Sequence, residues 1–235
     1  MEELREPRNY FSLLREIAQG NTRLNEIAQA AGIGSAPTVS RYLDILQQMR
    51  LITRRVPATE SHPEKSKRGL YQIDDHFLRF WFRYVHPNQG SLDLGLADSI
   101  LAQRVRPDLD HFAAASFEEA AREFVAAGAR AEKWSILPER IGSWWSREAE
   151  LDVLAINQAG KIALVGECKW SINPVGTNIL EDLKHRTRTM VQESGIGHIQ
   201  YVLFSRKGFT EALKEQAARE EIGLFTVEDL ILSGE

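Results

Sequence analysis

The sequence predicts a two-part chain of mixed α and β structure: three helices with a short hairpin, then a larger mixed sheet flanked by helices. Three observations lead there. Apolar residues recur at helical spacing through the first fifty residues and give way to two short strand-like runs. A segment dense in aromatic residues follows. Beyond it, apolar strands and amphipathic helices succeed one another as α-β-β-β-α-β-α-β, an order that suits a sheet covered on both faces. At 235 residues, one large or two modest domains are expected. The breaks read as 1–73, 74–111 and 112–235.

Pro7 to Gln19 sets Tyr10, Leu13, Leu14, Ile17 and Ala18 on one helical face. Asn21-Thr22 can cap a second helix to about Ala31, with Leu24, Ile27 and Ala28 inward. Gly32-Ile33-Gly34 is a turn, and Ser35 and Pro37 open a third helix through Val39, Tyr42, Leu43, Leu46 and Met49. Leu51–Val56 and Gly69–Ile73 read as strands joined by a polar loop, Pro57–Arg68. Three helices and a two-stranded wing make a winged helix-turn-helix. The outward side of its third helix offers Thr38, Ser40 and Arg41 to bases or phosphates. Arg54 and Arg55 on the first strand, with Lys65, Lys67 and Arg68 in the wing, offer phosphate-type contacts. The net charge of −4 is uneven: residues 1–73 hold 11 Lys and Arg against 8 Asp and Glu, the remainder 18 against 25. DNA is therefore the expected partner of the first third. Such folds also bind proteins or pack beside an ATPase, and that alternative stays open.

Asp74-Asp75 can cap a helix that ends at Pro87. Phe77, Phe80, Trp81 and Tyr84 form its i, i+3, i+4, i+7 stripe, widened by Phe82 and Val85, and are expected to be core. Arg79 and Arg83 form a basic pair on another face, either solvated or in contact with a partner. Gly90 to Asp110 reads as one helix and a turn.

The last part holds the chemistry. Phe112 to Ala127 is an alanine-rich helix with Phe117, Ala121, Phe124 and Val125 inward. A strand follows near Ile141–Trp145, then two apolar runs, Glu150–Asn157 and Lys161–Trp170, around a Gln-Ala-Gly turn. A two-residue loop at Ala159-Gly160 would set Asp152 opposite Glu167 and Glu150 opposite Lys169, all four on one face. Two carboxylates so placed can share a divalent metal. Helices at 178–193 and 210–221 and strands at 200–205 and 223–227 complete the order. Lys184, His185, Arg186 and Arg188 could touch a DNA backbone or lie on plain surface. Cys168, the single cysteine, excludes an internal disulfide and a multi-cysteine zinc site, and reads as a small buried strand residue. No apolar run is long enough to cross a membrane, and Met-Glu-Glu-Leu-Arg-Glu does not begin a secretory signal. A cytoplasmic location with no membrane partner is expected.

Asp152 followed by Glu167-Cys168-Lys169 resembles the signature of the PD-(D/E)XK nuclease superfamily, without its initial proline. The resemblance implies a restriction-endonuclease-like mixed sheet. It implies Mg²⁺ or Mn²⁺ held by Asp152 and Glu167, with the Cys168 carbonyl as a further ligand. Lys169 would orient or deprotonate the attacking water or stabilise the transition state, and Glu118 on the first helix would complete the site. Glu150 could partner Lys169. A second resemblance covers most of the chain. Arg68-Gly-Leu-Tyr-Gln-Ile-Asp-Asp-His-Phe-Leu-Arg-Phe-Trp-Phe-Arg-Tyr-Val, Phe117-Glu118, Trp144-Trp145 and Gly166-Glu-Cys-Lys-Trp170 look like the C-terminal half of a family of archaeal and bacterial ATPases of DEXX-box type. In that family a P-loop domain precedes these regions, which implies an ATPase domain as partner in cis or in trans. No G-x-x-x-x-G-K-[ST] occurs here, so ATP hydrolysis is not assigned to these residues. The expected function is metal-dependent hydrolysis of duplex or branched DNA. The alternative is a catalytically inactive DNA-binding or protein-interaction module that regulates an ATPase.

Overall fold

The computed structural model describes residues 6–232. The chain forms two compact units, one running to Val56 and resuming over Glu64–Leu109, the other made of Pro57–Pro63 and everything from Asp110 on.

In the first unit, α1 (Pro7–Ala18), α2 (Leu24–Ala31) and α3 (Ala36–Gln48) precede β1 (Ile52–Arg55) and β2 (Leu70–Ile73). Their apolar stripes meet as the spacing predicts: Leu13, Ile27, Val39, Leu43 and Leu46 are fully buried in one core. The strands pair antiparallel with Ile52 opposite Ile73. The start of α2 differs from the expected Asn21-Thr22 cap. The Arg23 amide donates to the Glu26 carboxylate at 3.1 Å, so a side chain inside the first turn holds the helix start. Ser35 sits at the N-cap of α3, but its hydroxyl pairs with that of Thr38 at 3.2 Å.

The aromatic segment begins as expected, with the Asp75 carboxylate accepting from the Leu78 amide at 2.7 Å at the start of α4 (His76–Phe80). The helix then widens into a π-helical turn over Trp81–Val85. One extra residue in a turn rotates everything after it relative to a 3.6 repeat. Phe82 and Tyr84 are buried, whereas Phe77, expected in the core, is 70% exposed. Arg83 does not form an outward pair with Arg79. It makes two hydrogen bonds to Asp108, at 2.6 and 3.0 Å, and the Tyr84 hydroxyl donates to the same carboxylate at 2.7 Å. Arg79 donates to the Ile73 carbonyl at 3.1 Å. The expected single connector helix is broken into α5 (Gln89–Asp93), α6 (Ala97–Ile100) and a second π-helical turn, Leu101–Val105.

The second unit follows the predicted order, α7 (Leu109–Arg130), β3 (Arg140–Trp145), β4 (Glu150–Asn157), β5 (Ile162–Lys169), α8 (Thr177–Ser194), β6 (His198–Ser205), α9 (Glu211–Glu220) and β7 (Gly223–Thr226), and adds a short, unexpected helix, α10 (Val227–Leu232). The strands lie side by side in sequence order, β3 to β5 antiparallel and β5 to β7 parallel, a mixed five-stranded sheet. On one face Phe117, Ala121 and Val125 of α7 pack on Val153, Ala155, Leu164 and Phe204. On the other, Leu180, Leu183 and Met190 of α8 and Leu213 of α9 pack on Leu151, Leu154, Ile156 and Val165. The segment Pro57–Pro63 lies along the outer strand. The Ala58 amide donates to the Ser143 carbonyl at 2.9 Å, and Arg140 donates to the Glu60 carbonyl. An outer strand otherwise presents unpaired backbone groups, so this strap satisfies one of them. Among the described residues no helix is long and apolar enough to cross a membrane.

Candidate active site

The β4–β5 hairpin has the expected register, Val153 opposite Gly166 and Asn157 opposite Ile162, but a longer loop. Four residues, Gln158–Lys161, connect the strands in place of two. The Asn157 side chain accepts from the Gly160 amide at 2.7 Å, and Lys161 takes a left-handed conformation with φ of 52°.

The expected one-face ladder is broken by a bulge. On β3, Gly142 faces Leu154 and Trp144 faces Leu151, so Ser143 alone spans Asp152 and Val153 on β4. The pleat therefore changes phase at Asp152. Leu151 shares a face with Leu154 and Ile156, while Val153 and Ala155 occupy the other. The ladder between β4 and β5 stops at Val153 and Gly166, and the strands part beyond it. The Asp152 carboxylate fills the gap, its Oδ2 accepting from the Cys168 amide at 2.8 Å. Glu150 is consequently not the partner of Lys169; it pairs with Trp145 on β3, and its carbonyl accepts from Arg186 at 2.5 Å.

Glu118, Asp152, Glu167 and Lys169 do come together electrostatically. Burial, then the charges of Glu167 and Glu118, push the Asp152 carboxyl up to about 7, against the pull of the Cys168 amide and Lys169. Glu167 is 3% exposed. Its Oε1 accepts from Lys169 at 2.6 Å, and its Oε2 lies 2.9 Å from Arg186. Burial works against the Lys169 ammonium, but Glu167 outweighs it and raises its pKa. Burial, with Asp152 and Glu118 nearby, also holds the Cys168 thiol far up, which keeps it protonated and makes it a poor nucleophile.

Two arginines at this site do not stand out in the sequence. Arg122 on α7 lies 3.7 Å from Glu118 and donates to the Asp152 carbonyl at 2.8 Å, tying the helix to the bulge. Arg186, one of several apparent surface cations, reaches inward to Glu167 and Glu150. The signal for both is the i, i+4 spacing of acid and arginine, Glu118 with Arg122 and Asp182 with Arg186, on the helices flanking the hairpin. Lys184 is instead committed to Glu181 and Glu220.

The donor set suits a hard divalent cation: carboxylate oxygens, with Asp152 short of a counter-charge. It is not preassembled. Among the described residues no group of three or more His, Cys, Asp or Glu is arranged to hold a metal ion. Both oxygens of Glu167 face cations of the chain itself. Asp152 and Glu167 would hold a metal once one of those pairs opens.

In the first unit, Thr38 and Arg41 are exposed on α3 and Ser40 is half-buried. Lys65 and Lys67 are exposed, and Arg68 is half-buried. Arg54 folds back on the hairpin, donating to the Ser66 carbonyl and covering Gly69, and Arg55 donates to Gln72 at 3.0 Å.

Residues 81–182 match the model of the DUF234 family, archaeal and bacterial proteins of unknown function. The chain is 36% identical over 168 residues to an uncharacterized protein of Methanocaldococcus jannaschii. The match takes in 72% of this chain and only 37% of that protein's length. A solved O-methyltransferase from neocarzinostatin biosynthesis, bound to S-adenosyl-L-homocysteine, aligns over 93% of this chain and 65% of its own, at 16% identity and a TM-score of 0.23. That score is too low to argue a shared fold.

Proposed function

We propose that the chain binds DNA through a winged helix in its first unit and hydrolyses phosphodiester bonds at Asp152, Glu167 and Lys169 in a nuclease-like second unit. The observation that carries the reading is the Asp152 carboxylate, buried, bonded to the Cys168 amide where β4 and β5 part, and crowded by Glu167 and Glu118. A carboxylate kept there short of neutralising charge costs stability unless a cation uses it. Bound between Asp152 and Glu167, with the Cys168 carbonyl as a further ligand, Mg²⁺ or Mn²⁺ would supply charge neutralisation at a scissile phosphate and an acidified water. The chain's own residues do the rest. Lys169, half-exposed at the end of β5, orients that water or takes its proton. Glu118, beside Arg122, adds an outer carboxylate to the cation's surroundings. Arg41, Lys65 and Lys67 are the exposed cations for phosphates, with Thr38 and Ser40 nearest to base edges. Arg54 serves the wing's own loop first.

A second reading is favoured by one observation. Both Glu167 oxygens are ion-paired, as they would be in a module that keeps the nuclease frame and regulates without cutting. In either reading an ATPase domain, in cis or in trans, is the partner the resemblance implies. The matched relative carries much additional chain.

The test is cleavage of duplex and branched DNA with Mg²⁺ or Mn²⁺. Asp152→Ala and Lys169→Ala should each lower the rate by about 10²-fold or more. Gel shifts at two salt concentrations should show Lys65→Ala with Lys67→Ala weakening binding and flattening its salt dependence. The slope should fall by about one for each phosphate that is no longer neutralised. DNA binding without cleavage under any of these conditions would favour the regulatory reading.

A further inference from the structure

We infer that Arg186 is a positioning residue: it pins Glu167 through Oε2, so that Oε1 alone exchanges between Lys169 and a divalent cation. The inference rests on the metal-binding reading above and specifies how that site is filled.

Two cations reach Glu167, and they are held differently. Arg186 lies 2.9 Å from Glu167 Oε2, 2.9 Å from Asp182 Oδ2, and donates to the Glu150 carbonyl at 2.5 Å. Its acceptors belong to β5, α8 and β4, so the guanidinium is fixed from three directions. The Lys169 ammonium reaches Glu167 Oε1 at 2.6 Å, the one hydrogen-bond or ion-pair partner of that side chain among the described residues, and the side chain is 38% exposed. A planar guanidinium with three anchors loses little further freedom in staying put. An ammonium on a flexible stem, with one anchor and open solvent, gains freedom by leaving. A cation arriving at Glu167 therefore displaces Lys169 and not Arg186. Glu167 itself, 3% exposed, is kept from rotating by the remaining pair. Arg186 thus acts on the metal through Glu167, as partners behind first-layer ligands do, and Lys169 is released in the same event.

Mn²⁺ titrated into the full chain tests this without reference to cleavage, using calorimetry and the electron paramagnetic resonance signal of free Mn²⁺. R186M should bind Mn²⁺ about ten-fold more weakly than the wild type. R186K should recover part of the loss. D182N, which takes the charge from one outer anchor at a side chain 60% exposed, should move the affinity the same way by less. K169M should shift it in the opposite direction and bind more tightly, because nothing then competes for Oε1. Melting in chelator checks that each variant is folded, and D182N with R186K decides the matter if R186M is not. A purely structural role for Arg186 would lower the melting temperature and leave the affinity of the folded protein unchanged, and that result overturns the inference. So does K169M weakening binding as R186M does. A wild-type chain that takes up no Mn²⁺ overturns the metal-binding reading itself, and this inference with it.

Discussion

At the scale of single residues, Asp152 does two jobs that pull against each other. Its Oδ2 substitutes for a strand carbonyl as the acceptor for the Cys168 amide, a structural task that Asn could do as well. Its charge, however, is disfavoured by burial and by Glu167 and Glu118. A carboxyl raised from 3.8 to about 7 on folding binds its proton more tightly in the folded state. Its favourable contribution is therefore fully present below the unfolded value and is lost as pH rises to about 7. Thermal melts in chelator should show Asp152→Asn gaining on the wild type between pH 5 and pH 8, and Mn²⁺ should narrow that gap at the upper end. Equal pH profiles for the two proteins would mean that the acid is not in this environment. The identities of Asp152, Glu167 and Lys169 as a set are legible from their charges inside apolar strands. The bulge is not, because a strict two-residue alternation carries no sign of one extra residue opposite Ser143.

Elements are legible where burial follows period. The hairpin register expected from a turn centred on Ala159-Gly160 is the one observed from Val153 to Asn157, and it fails beyond, where the strands part. The loop is longer than the expected Ala159-Gly160 pair, and the Asn157 side chain closes it by accepting from the Gly160 amide. The aromatic helix shows the opposite lesson. Its start is readable from Asp75, but its inward face is not, because nothing in the pattern announces a π-helical turn. Within the sheet, Gly166 marks a close approach: a Cβ there would lie 2.9 Å from Val153 Cβ and 3.0 Å from Val202 Cγ2. Gly166→Ala should destabilise the protein by about 1–3 kcal/mol through overpacking, measured by chemical denaturation. It should also weaken Mn²⁺ binding, since the next residue is Glu167. A neutral effect on both would show that the two valines yield easily.

For the molecule as a whole, the α-β-β-β-α-β-α-β order predicts the mixed sheet and its two covered faces. What no pattern discloses is that Pro57–Pro63, which reads as part of a polar wing loop, belongs to the second unit. Ala58 is buried there against the outer strand, with its amide on Ser143, the residue opposite the bulge. A truncated chain starting at Asp110 should therefore melt lower and scatter more light than the full chain, its outer strand bare along that stretch. Equal melting would show the strap to be dispensable. The path of the backbone passes between the units three times, at Val56–Pro57, Pro63–Glu64 and Leu109–Asp110. Genetic exchange that cuts a gene once can trade whole modules only when they are strung like beads. Here a single crossover would leave one partner with a missing piece, so exchanging one unit cleanly takes more than one cut.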